Sequence, residues 1–99
     1  MAIVQVEECD GLVTISIRGR FDFSAYVEFS ACYKWRPKTS RYVIDFKHVR
    51  CIDSSALTMM LLLRGHTRNR KQNVVITNCN DDIRETLSSL KFHSLFDLQ

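Results

Sequence analysis

The chain has 99 residues, 45% hydrophobic and 25% charged, enough for one domain core, too few for two, and unlike a disordered segment. A net charge of +3 is too mild for the basic stripe of a dedicated nucleic-acid binder. One proline and three glycines do not make a flexible linker.

Ile3, Val4 and Val6 predict a first strand, and Asp10-Gly11 a hairpin turn. From Leu12 to Arg18 apolar Val13, Ile15 and Ile17 alternate with Thr14, Ser16 and Arg18, the two-residue period of a half-buried strand. Gly19-Arg20-Phe21-Asp22 breaks the alternation, and Asp22 or Ser24 is placed to cap a helix from about Ser24 to Trp35. In it Tyr26, Phe29 and Tyr33 fall at helical spacing for the core, and Pro37 closes the segment. Tyr42 to Phe46 reads as a third strand and Lys47 to Ile52 as a loop.

Asp53-Ser54-Ser55 opens a second helix to about Arg68, whose first turns are apolar nearly all round and are expected to be buried on most sides. Asn73 to Thr77 predicts a fourth strand, and Asp81 or Asp82 caps a third helix to about Leu90. Phe92, Leu95 and Phe96 suggest a short edge strand. The order is β-β-α-β-α-β-α with a further β at the end. The unit from Tyr42 to Thr77 is expected to be a right-handed parallel crossover.

No basic stretch leads into an apolar run at the N-terminus, and the greasy run from Ala56 to Leu63 is too short to span a bilayer. The cysteines Cys9, Cys32, Cys51 and Cys79 form no C-x-x-C pair and stand in or beside apolar runs, as buried reduced thiols do. These features predict a cytoplasmic chain without membrane insertion.

The informative stretch is Asp53-Ser54-Ser55-Ala56-Leu57, after the strand and the His48-to-Ile52 crossing. Two hydroxyls stand where a helix start offers unpaired N–H groups and partial positive charge, a setting that holds phosphate. Taken alone, D-S-S before an apolar helix is explained by capping.

Three pieces together resemble a STAS domain of the anti-sigma factor antagonist type. Gly19-Arg20-Phe21-Asp22 is similar to that family's Gly-x-Leu-Asp. Ile44-Asp45-Phe46, Val49 and Ile52 to Leu57 resemble its central strand, loop and Asp-Ser-Ser-Gly-Leu helix start. Asn73 to Ile76 with Ile83, Leu87 and Leu90 resembles its last parallel strand and closing helix. Ala56 replaces the motif glycine, a mild change in a helix, and Leu90-Lys91-Phe92 replaces a Ser-Gly-Leu near the last helix.

The resemblance implies an α/β domain over residues 1–99, with a mixed four- to five-stranded sheet and three or four helices. It implies phosphorylation at Ser54, with Ser55 as the alternative, and partner binding through Asp22, Asp53, Ser54, Ser55 and Ala56. The implied partners are a serine kinase or anti-sigma factor of the histidine-kinase-like ATPase fold and a metal-dependent serine phosphatase. An alternative within the family is an unphosphorylated accessory subunit of a lipid-transport ABC system.

Other chemistries lack support. There is no G-x-S-x-G elbow and no base placed beside Ser54, so no catalytic residue is assigned. His48 and Cys51 are half a metal site at most, and no metal or cofactor is expected. His48 reads as a loop residue, His66 and His93 as solvent-facing. The basic run from Arg64 to Lys71 suits a helix C-terminus, and Trp35 is a candidate exposed anchor.

Overall fold

A computed structural model of the chain describes residues 3–99. Strand β1 (Ile3–Cys9) turns at Asp10-Gly11 into β2 (Leu12–Phe21). Both turn residues have positive φ, 50° and 81°, the conformation a two-residue type I′ hairpin requires. A 3₁₀ turn (Phe23–Ala25) then leads into a short helix α1 (Tyr26–Ala31). β3 (Arg41–Ile52), α2 (Ser54–His66), β4 (Val74–Thr77), α3 (Asp81–Ser89) and β5 (Asp97–Leu98) complete the order.

The five strands form one sheet in sequence order, with β1 antiparallel to β2 and the rest parallel. Right-handed crossovers that always advance in one direction keep every helix on one face. The alternation of β2 is therefore directly legible in burial. Val13, Ile15 and Ile17 join Tyr42, Ile44, Phe46, Val74 and Ile76 under the helices, while Thr14, Ser16, Val43, Asp45, Val75 and Thr77 are only half-buried on the open face. Phe29, Met59, Met60, Leu63, Ile83, Leu87 and Phe96 close the core from the helix side.

Several boundaries differ from the sequence expectation. Residues 47–52 are not a loop: β3 continues to Ile52, and β2 continues past Arg18 to Phe21. At two register irregularities, opposite Ser16–Arg18 and Gly19–Arg20 of β2, β3 carries one extra residue, which interrupts its period-two pattern, whereas β2 keeps its phase through Phe21 with only Gly19 lacking a side chain to show it. Asp45 accepts hydrogen bonds from the Lys47 N–H (2.9 Å) and the Asn78 side chain (3.0 Å) beside the first. Gly19, at φ 87°, supplies the second with a conformation costly for other residues. His48 consequently lies on a strand.

The first helical segment is shorter than expected, because the Ser24-to-Trp35 span divides into the 3₁₀ turn, α1 and a following turn. α2 ends at His66 rather than Arg68, and Asn73 belongs to a 3₁₀ turn (Lys71–Asn73) rather than to the fourth strand, which starts at Val74. Asn80, not Asp81 or Asp82, caps α3, accepting from the Ile83 N–H at 2.8 Å. Phe92–Ser94 is a 3₁₀ turn, and the edge strand is Asp97–Leu98.

Burial also departs from expectation. α2 is not buried on most sides, since Leu61 and Leu62 are exposed, as is Tyr26 on α1. Cys9 and Cys51 are exposed rather than buried. His66 is half-buried, with its ring 5.2 Å from that of Tyr33 and its Nε2 3.1 Å from the Arg36 carbonyl.

Candidate functional site at the start of the second helix

Two parallel strands end side by side and define the site. Phe21 and Ile52 are register partners at the ends of β2 and β3, so the next residues, Asp22 and Asp53, emerge together and line one notch with Arg20 and Cys51. Each aspartate starts a helical segment. Asp22 accepts from the Ser24 N–H at 3.0 Å and from the Ser24 hydroxyl. Asp53 accepts from the Ala56 N–H at 3.0 Å. The Ser24 hydroxyl, and then its N–H, hold the Asp22 carboxyl below its usual value.

Ser54 is the first residue of α2 and is exposed; Ser55 is half-buried and Ala56 fully buried. The first turn of a helix leaves its N–H groups without intrahelical partners. Asp53 satisfies that of Ala56, which leaves those of Ser54 and Ser55 for water or an anion. The structure therefore brings Asp22, Asp53 and Ser54 to one edge, turns Ser55 toward α1 beside Phe23 and Tyr26, and places Ala56 in the core, out of a partner's direct reach.

Arg20 was missed in the sequence reading. Its guanidinium is raised above its ordinary value by the Cys51 side chain first, and then by the charges of Asp22 and, more weakly, Asp53. The signal was the strand phase. Phe21 points into the core, so Arg20 points away from it at the rim. Two carboxylates against one guanidinium leave the notch one charge negative. Among the described residues no group of three or more His, Cys, Asp or Glu is arranged to hold a metal ion, and no helix is long and apolar enough to cross a membrane.

The STAS domain family model matches residues 4–99. This chain belongs to the STAS domain family. A STAS-domain containing protein of Pseudomonas aeruginosa (strain UCBPP-PA14) is 39% identical over 100 residues, covering 99% of both chains. Among solved structures, the fold is similar to an anti-sigma factor antagonist from Mycobacterium paratuberculosis, at TM-score 0.75 and 20% identity over 99% of this chain and 85% of that one. It is also similar to the anti-sigma factor antagonist SpoIIAA in its unphosphorylated form, at TM-score 0.67 and 17% identity over 87% and 82%. The five-stranded mixed sheet with three α-helices is thus the SpoIIAA-like STAS fold.

Proposed function

We propose that this STAS domain is a cytoplasmic, phosphorylation-switched docking protein rather than an enzyme. In its unphosphorylated form it binds a serine kinase or anti-sigma-type partner of the histidine-kinase-like ATPase fold through Asp22, Asp53, Ser54 and Ser55. Phosphorylation of Ser54 ends the docking, and a metal-dependent serine phosphatase restores it.

The observation that carries this reading is an exposed hydroxyl at the first position of α2, beside a notch holding two carboxylates. A kinase must reach the hydroxyl, and Ser54 offers it where Ser55 is half-buried. A phosphoserine adds about −1.5 to −2 charges beside a notch already one charge negative. An exposed charge pair contributes up to about 1 kcal/mol, so two added charges facing an acidic partner surface cost on the order of tenfold in affinity or more. The free N–H groups of the first turn accommodate the phosphate without unwinding α2.

Peptide mass spectrometry of the protein from its native cells, with a Ser54→Ala control, tests the assignment. A single phosphate on Ser54 that vanishes in the control is expected. A phosphate on Ser55, or none under any growth condition, refutes it.

A further inference from the structure

Two of the residues that sequence patterning places in the core but the structure leaves exposed, Tyr26 and Leu62, lie together. Tyr26 and Leu62 belong to two adjoining depressions between α1 and α2 and are shared by both. One wall carries Phe23, Val27 and Trp35, which are 68%, 72% and 82% exposed. The other carries Ser55, Thr58, Leu62 and His66, at the three-to-four-residue spacing of one helix face. The phenyl ring of Phe23 stacks on Tyr26 at 5.4 Å. The larger depression has a volume of about 630 Å³. An exposed apolar groove of this kind marks an interaction surface, and its two helical walls suit an amphipathic helix laid between them.

Charge selects the occupant. Among the described residues no carboxylate lines either depression, and the one formally charged lining side chain is Lys34, whose ammonium lies 5.5 Å above the Trp35 ring. The far end of the groove reaches Ser55, next to Ser54. The groove therefore has a cationic end, and its other end lies one residue from Ser54.

We infer that the groove between α1 and α2 is the docking site for an amphipathic helix of a partner protein, apolar on one face and acidic on its flanks. Its coupling to phosphorylation rests on the function proposed above; the groove itself does not. Acidic flanks gain from Lys34 and are repelled by a phosphate at Ser54, so one chemistry accounts for both attraction and release.

A pair of synthetic helical peptides of about four turns tests this. Both carry Leu at i, i+4, i+7 and i+11; one is flanked by Glu and its twin by Lys. Trp35, the only tryptophan, reports occupancy through its fluorescence, and backbone amide NMR shifts locate the contact. The acidic peptide is expected to bind saturably and at least about tenfold tighter than its twin, a difference of about 1.4 kcal/mol. Leu62→Glu and, independently, Val27→Glu are each expected to weaken it about tenfold or more; both sites are exposed, and the amide spectrum verifies that each variant is folded.

Equal binding of the two peptides, no saturation below about 1 mM, or shifts that map away from α1 and α2 overturns the inference. So does concentration-dependent self-association abolished by Leu62→Glu, which gives the groove to a second copy. Chain phosphorylated at Ser54 separates the two proposals. If it binds the acidic peptide as well as unmodified chain does, while Leu62→Glu does not bind, the groove stands and its coupling to phosphorylation falls. If phosphate is found on Ser54 in cells but the groove variants bind the peptide normally, the switch stands and the groove falls.

Discussion

Asp53 is both the cap of α2 and a charge beside Ser54, and the two roles separate by substitution. Asp53→Ala removes the acceptor for the Ala56 N–H, bonded at 3.0 Å. Cap removal costs about 0.5–2 kcal/mol. Ala56 is fully buried, so its N–H is poorly placed to find water, and the upper half of that range, about 1–2 kcal/mol, is expected. For a domain of this size each kcal/mol shifts the midpoint by about 4–8 °C, so Tm should fall by roughly 5–15 °C. Asp53→Asn keeps the acceptor oxygen and loses only the interaction of the charge with the helix dipole, about 0.3–1 kcal/mol for an exposed group. Thermal unfolding followed by circular dichroism, under conditions where it is reversible, reads both. If the Ala and Asn variants melt together, the Asp53 side chain does not cap α2. If Asn melts near the parent yet changes partner affinity, the charge acts in docking and not in folding.

Two further outcomes follow from the same structure. The Tyr42 hydroxyl is buried without a hydrogen-bond partner among the described residues, and burial raises its phenol pKa, although Arg36 and then Ser40 oppose the shift; Tyr42→Phe should therefore leave stability unchanged or raise it by up to about 1–2 kcal/mol in urea titration, and a loss of about 1 kcal/mol would reveal a bond to Ser40. Cys9 and Cys51 are exposed, whereas burial pushes the Cys32 thiol up from 9.0 to about 11; at pH 8 iodoacetamide should label the first two while Cys32 stays protonated and unmodified, reacting only as pH rises toward 11 or on unfolding, and early modification of Cys32 at pH 8 in the folded chain would contradict its burial.

The helix and strand types were legible because local chemistry and tertiary environment agree at most positions. The alternation from Leu12 to Arg18 survives because the sheet is covered on one face, and Asp10-Gly11 needs only its own backbone to make a hairpin. The departures share a cause. The Lys47-to-Ile52 stretch lost its period at two strand irregularities that exist only because β2 and β3 are paired. The cap of α3 fell to Asn80 because the direction of entry from β4, not residue preference, decides among neighbouring capping residues. Cys51 stands beside apolar Ile52 in the sequence, yet its phase on the extended β3 turns it outward.

The Asp-Ser-Ser-Ala-Leu run determines a capped helix start with hydroxyls at its first two positions, since a capping side chain and a following apolar run are local facts. That Ser54 rather than Ser55 is exposed, that Asp22 and Arg20 stand beside Asp53 from far away in the sequence, and that Leu62 and Tyr26 face each other across an open groove were decided only in three dimensions. The physical reason is that periodicity states which residues share a face of one element, whereas parallel pairing of β2 with β3 and the shortness of α1 decide what each face meets.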